Sequence, residues 1–395
     1  MRFLPTPLAL AAALACCPAQ ADISETFKPF ISVGQTYDDN LLRLPENTPD
    51  GIQRSDRATQ AIAGIALDRP IGRQKITGQA KVSRVTFDHY DQLDYNGKDF
   101  SLDWAWVVGN HFDGNIGGSY QQVLTPFNDF HSEERNLRTQ RREYANGGWR
   151  MHPSWRIYTG FQRDRFDYEL AAQSLNNRKE DRSEAGIDYH ASSGSRVGLV
   201  ARHIKGSFLN PRRIGTTFLD QNYTQDELKA NINWLYSDIT QLQLLAGYAK
   251  RKHDTFTERD TSGLNGRATV NWRPRSKLRF TAETWREFSA VESIVVNNSV
   301  NKGASLNATW DISAKVQANA GVKREKRKFE RLPYVTFDGD PSDTTRSTNV
   351  GVVYQPWRKV QLSVTGFKDR RTGTPLIGTG SYKAKGVSFM ATVQF

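Results

Sequence analysis

The sequence predicts an all-β chain, a transmembrane antiparallel up-and-down β-barrel of about 18 strands with short periplasmic turns and long extracellular loops. Three observations predict it. Apolar and polar residues alternate with period two from one end to the other. Two unlike kinds of connection separate the alternating segments in turn, and aromatic residues gather beside the shorter kind.

Alternation is the primary signal, because successive side chains of a strand point to opposite faces. Leu102, Trp104, Trp106 and Val108 alternate with Ser101, Asp103, Ala105 and Val107. Leu228, Ala230, Ile232, Trp234 and Tyr236 alternate with Glu227, Lys229, Asn231, Asn233 and Leu235, and Val387 to Phe395 repeats the pattern. Helical spacing never wins over a comparable stretch. Short polar turns are expected near 68–73, 109–111, 151–154, 191–195, 237–240, 273–276, 311–314 and 355–359. Longer, charged loops lie between them, at 39–57, 88–97, 124–138, 167–181, 206–223, 252–262, 287–298, 330–344 and 369–380. Eight short turns and nine long loops join eighteen strands, which leaves both termini on the short-turn side. No shift in composition divides the chain, so residues 22–395 read as a single barrel domain.

The aromatics argue for a membrane rather than a soluble sandwich. Trp106, Trp149, Trp155, Trp234, Trp272, Trp310 and Trp357 sit within a few residues of a short turn, as do Tyr189, Tyr236 and Tyr354. Core aromatics would scatter along the strands, whereas an amphipathic ring is favoured at headgroup depth. Among 395 residues, 11% are aromatic, although the mean hydropathy is −0.63. A barrel reconciles the two, since alternation hides its apolar face from an averaging window. No stretch reaches 18 consecutive apolar residues, which excludes transmembrane helices.

Residues 1–21 have the layout of a secretory signal peptide, with Arg2, an apolar run from Leu8 to Cys17, and Ala19-Gln20-Ala21 as the expected cleavage site. Ala15-Cys16 resembles the end of a lipobox, but an Ala stands where that motif has Leu. Cleavage after Ala21 removes both cysteines, so no disulfide is expected. The expected location is the outer membrane of a Gram-negative bacterium. A net charge of +12 would point to nucleic acid in a cytosolic protein. Behind a signal peptide it does not, and no nucleic-acid partner is expected.

On each strand the more apolar face should meet lipid and the other should line the lumen. The expected substrate path then collects Arg142, Arg156, Arg196, Arg202, Lys229, Arg267, Arg279, Lys315 and Lys323, together with carboxylates and many amides and hydroxyls. Such a lumen would attract anions and could pass hydrated polymers by exchanging hydrogen bonds. The alternative is that these charges are solvated and paired, setting only weak ion selectivity. Loops 39–57 and 206–223 are long enough to fold inward, the second carrying Arg212 and Arg213 as a candidate constriction. Charge runs in the loops are expected as solvated rims or contacts to lipopolysaccharide phosphates.

A search for chemistry returns little. No HExxH, GxSxG, P-loop or CxxC pattern occurs. No catalytic residue, metal or cofactor is expected, and the chain is not read as an enzyme. Asp38 and Asp39 could pair with His89 across adjacent rims, or with Asn40 hold a cation, but nothing in the spacing demands either. Asp and Asn at this point suit a turn into the first loop.

The stretch F-x-P-F-I-S-V-G-Q-T-Y-D-D-N-L-L-R-L-P, residues 27–45, resembles the N-terminal signature of EpsL-type proteins. These are outer-membrane β-barrels of exopolysaccharide biosynthesis operons, associated with the exosortase/PEP-CTERM system, within a wider β-barrel porin family. The carrying residues are Tyr37, Asp38, Asp39, Asn40 and Arg43. The local match covers about 20 residues; beyond it, length, signal peptide, a single barrel and the terminal Phe395 agree. The resemblance implies export of an exopolysaccharide, with periplasmic export components as partners. A terminal strand ending in Phe also resembles the signature read by the barrel-assembly machinery. The alternative function is a porin for small anionic or sugar solutes. A barrel enzyme or surface scaffold is the third reading.

Overall fold

The computed structural model describes residues 26–49, 51–129, 131–214, 217–219, 221–254, 257–291, 296, 298–329, 341–373 and 380–395. The expected signal peptide lies outside them. The strands are β1 Phe27–Asp38, β2 Asp56–Ile71, β3 Gln74–Phe87, β4 Tyr95–Val108, β5 Phe112–Leu124, β6 Leu137–His152, β7 Trp155–Tyr168, β8 Arg178–His190 and β9 Arg196–Phe208. A short hairpin, β10 Arg212–Ile214 and β11 Thr217–Leu219, stands in the following loop. The second half comprises β12 Tyr223–Ser237, β13 Thr240–His253, β14 Thr261–Arg275, β15 Leu278–Ala290, β16 Asn298–Asp311, β17 Val316–Phe329, β18 Ser342–Trp357, β19 Val360–Thr372 and β20 Tyr382–Gln394.

Each of the 18 sheet strands pairs antiparallel with its neighbours, β9 bonding β12 past the hairpin. The ring closes where β1 meets β20, from Phe30↔Gln394 to Asp38↔Gly386. This is the predicted barrel, with the predicted strand count. Its short turns reverse the chain in two to five residues, and Gly72 (φ 59°) and Gly109 (φ 57°) take left-handed positions that strain other L-residues.

Register fixes the faces. Ile31, Ala63, Val82 and Lys98 stand side by side across β1–β4, and following this phase around the ring separates an outer from an inner set. The outer set is apolar at mid-height: Leu228, Tyr248 and Leu264 lie in one row and are each about 60% exposed. A soluble surface rarely carries so continuous an apolar band; lipid covers it here. Trp106, Trp149, Trp155, Tyr189, Trp234, Tyr236, Trp272, Trp310 and Tyr354 all fall in the outer set, next to the short turns. They form the interfacial girdle, reinforced by ring pairs such as Trp155–Tyr189 at 5.1 Å and Trp272–Phe280 at 5.3 Å.

Two departures from expectation matter later. Strands of 12 to 16 residues exceed the roughly 9–11 that span a bilayer, so they continue above it on the long-loop side. Charged segments such as 369–372 therefore belong to strands, because a closed ladder keeps propagating in water once its register is set. The second departure is a seam. The β14–β15 ladder stops at Gly266↔Arg286, while β14 continues up to Thr261 and β15 to Ala290. There the Arg286 side chain donates to the Leu264 carbonyl and covers Gly263.

Candidate transport pathway

At the mouth, the Tyr37–Arg43 element ties the first loop to the last strand. Asp39 N donates to the Lys385 carbonyl (3.0 Å) and the Asp39 carboxylate accepts Lys385 N (2.7 Å). The Asn40 amide, 1% exposed, donates to the carbonyls of Lys383 (2.8 Å) and Leu44 (2.9 Å), and its oxygen accepts Leu44 N. Arg43 reaches back to Asp38 at 2.7 Å and lies over the Tyr382 ring. Arg43 also has φ 58°, a left-handed conformation held by these bonds. Tyr37 points outward to lipid. The element is a clasp at the barrel's closure, which explains two carboxylates and an amide without catalysis. His89 lies against Asp56 (3.2 Å) rather than against Asp38 or Asp39.

The loop that crosses the lumen is 125–136, which the sequence reading did not single out. Its Asp129 accepts from Arg327 Nη1 (2.9 Å) and Nη2 (2.7 Å) on β17 and from Arg371 Nη1 (3.1 Å) on β19. Asn128 Oδ1 accepts the Tyr382 hydroxyl at 3.2 Å. His131 Nδ1 donates to the Leu42 carbonyl at 2.8 Å, with its Nε2 facing Arg371. Beneath, Leu42, Tyr90 and Leu93 form a buried apolar cluster with Phe87, Leu124 and Phe127. The first and third loops thus pack together inside the mouth. Burial raises the Asp129 carboxyl, but the two guanidinium groups outweigh it and hold the carboxyl below its usual range. Burial, joined by Arg371, lowers the His131 imidazole. Loop 39–57 folds inward as the sequence reading allowed. The side chains of Arg212 and Arg213 lie outside the described residues.

Along the wall, each expected path residue except Lys315 has a carboxylate partner. Arg142 meets Asp164 (2.7 Å), Arg156 meets Asp113 (2.9 Å), and Arg196 meets Asp188 (3.8 Å). Arg202 lies between Glu184 (2.8 Å) and Glu227 (3.8 Å), and Lys229 shares Glu227 at 2.7 Å. Arg267 meets Glu283 and Glu287, Arg279 meets Asp311, and Lys323 meets Glu325. Lys315 is in the exposed turn before β17. This wall, on β5–β9 and β12–β17, therefore presents mostly paired charge. The opposite wall is uncharged over a long row: Thr309, Asn319, Gly351, Thr365, Ser388 and Thr36 stand side by side from β16 to β1. Beside it, Ser32 and Thr392 hydroxyls are 2.8 Å apart. Among the described residues, no three His, Cys, Asp or Glu side chains gather as metal ligands.

Residues 221–395 match the model of a family described as "Putative beta-barrel porin 2". No curated relative matches the chain. Among solved structures, it is similar to OccK2 (OpdF) of Pseudomonas aeruginosa, at 11% identity and TM-score 0.52, over 94% of this chain and 98% of that one. OccK2 in complex with glucuronate matches at 11% identity and TM-score 0.51, over 94% and 99%. OccK9 (OpdG) of the same organism matches at 11% and 0.50, over 94% and 99%. At such identity the likeness is one of fold. Together with the outer apolar band and girdle, it makes the chain a porin-like outer-membrane β-barrel.

Proposed function

We propose that this barrel passes a secreted exopolysaccharide outward through its lumen. The observation that carries the reading is the hydroxyl and amide row from Asn319 to Thr36, facing a wall whose charges are mostly paired. A sugar chain sliding along such a row exchanges one hydrogen bond for another of similar strength, while carboxylates hold most of the facing cations, Arg142, Arg156, Arg202 and Arg267 among them. Synthesis and polymerisation on the periplasmic side would supply the driving force. The resemblance of residues 27–45 to EpsL-type proteins supports the same substrate class.

A second reading, a porin for small anionic or sugar solutes, is favoured by the loop docked through Asp129, which narrows the mouth. Gene deletion separates the two. Polymer accumulating in the periplasm of the deletion strain supports export, and normal surface polymer refutes it. Free uptake of small uronates by proteoliposomes, with normal surface polymer in the deletion strain, would establish the porin.

A further inference from the structure

We propose that the outer face of β17–β19, just above the apolar band, is a binding site for the phosphorylated headgroup of an outer-leaflet glycolipid of the lipopolysaccharide type. Register places Arg324 directly opposite Arg346, and Arg346 directly opposite Arg370, all three in the outer set. Like charges facing one another across a ladder destabilise a sheet unless something neutralises them. Among the described residues these three arginines form no ion pair. The row continues to Lys383 of β20, which is neutralised by Glu46 at 3.0 Å. Lys302 and Lys326 pair one step above, and Lys368 and Lys385 one step below.

The far side of the same barrel shows what an ordinary solvated rim looks like. There three neighbouring outward cations have carboxylates of their own: Arg163–Asp181 at 2.7 Å, Arg165–Asp167 at 3.0 Å and Lys179–Asp181 at 3.0 Å. A row of three facing cations without a carboxylate among them is therefore local to one side. In the outer sets of β15–β20 no carboxylate occurs among the described strand residues.

Depth and shape then select the anion. Arg346 lies eight residues above the girdle residue Tyr354 on β18. At about 3.4 Å per residue and a tilt of about 40°, that is roughly 21 Å along the membrane normal. The arginines thus cap an apolar band of about 25 Å, at headgroup height. With Thr344 and Thr372 they line a depression of about 320 Å³. Guanidinium forks match phosphate oxygens bidentately, and the threonine hydroxyls add donors. Directly below, Val322, Val350 and Val364 continue the apolar surface. A free phosphate would use only the upper half of this arrangement. A phosphorylated lipid uses both halves, with its acyl chains on the valines.

The test uses the whole barrel, purified in detergent, titrated with lipopolysaccharide and followed by native mass spectrometry. Wild type should bind the phosphorylated lipid, and phosphatase-treated lipid should bind at least about tenfold more weakly, as loss of charge-assisted contacts requires. R324Q/R346Q/R370Q should lose a similar factor, and the single R346Q a smaller one. R163Q/R165Q/K179Q, on the paired side, should bind as wild type does. Heat-modified gel mobility checks folding; if the triple variant does not fold, R346Q and the phosphatase comparison decide. Equal binding by these variants, or by dephosphorylated lipid, overturns the proposal. Full displacement by millimolar inorganic phosphate would also overturn it, reassigning the site to the free anion.

Discussion

Replacing Asp129 with Ala removes the carboxylate that docks the third loop across the lumen. Its partners are nearly inaccessible: the side chains of Arg327 and Arg371 are 13% and 1% exposed, against 15% for Asp129. Deleting one member of a buried ion pair costs about 3–5 kcal/mol, chiefly because the other charge is left without a counterion. Arg327 keeps Asp343, so the loss is expected at the lower bound, about 3 kcal/mol. With 1.4 kcal/mol per factor of ten, the undocked population rises roughly 150-fold. Single-channel recording in planar bilayers reads this directly. D129A should dwell far longer in a wider, higher-conductance state, and D129N, which keeps the shape and some hydrogen bonding, should fall between it and wild type. A folded D129A barrel with wild-type conductance and dwell times would refute the docking argument.

Three further outcomes are expected. His131 is docked as a neutral imidazole with a lowered pKa, so acidification below its free value near 6.5 favours the undocked, protonated form. Open probability should therefore rise between pH 7 and 5, and H131Q should abolish that rise. Asp129, whose pKa is also lowered, contributes only a later loss, below about pH 4. N40A leaves the Lys383 and Leu44 carbonyls without their donor and should destabilise the barrel by about 2 kcal/mol in urea unfolding followed by tryptophan fluorescence. A wild-type midpoint would contradict the clasp. Leu306 and Asn307 are adjacent but face lipid and lumen; L306R should cost about 2–4 kcal/mol and N307R much less, and equal effects would reverse the facing.

The barrel was legible because its signals are local. Alternation at Leu228–Tyr236 and the turn at Gly109 each need only a few neighbouring residues, and together they fix strand number and facing. The overhanging strand ends were not legible, since Lys368 and Arg370 look like loop residues until the register of β18 and β20 extends them. Alternation alone puts cations such as Arg142 on the inner phase of their strands, yet their neutralisation depends on partners such as Asp164 for Arg142, 22 positions away. Asp129 and Arg327 are separated by 198 positions, and Asp129 and Arg371 by 242, so no pattern in the chain could mark loop 125–136 as the one that crosses. The Tyr37–Arg43 stretch was read as a turn; its bonds to β20 add that the turn also fastens the two ends of the sheet.

The interrupted ladder between β14 and β15 gives the wall a preferred line of parting. Over Ser262–Asn265 and Phe288–Ala290, each strand is bonded on its far side only, to β13 or to β16. Among the described residues, the backbone there is held across the gap by the Arg286 side chain at the Leu264 carbonyl. Deuterium uptake should begin in these two segments before any other part of the sheet at equal height. Forced or thermal unfolding would start there as well, with the cylinder opening like a cuff along one stitched edge.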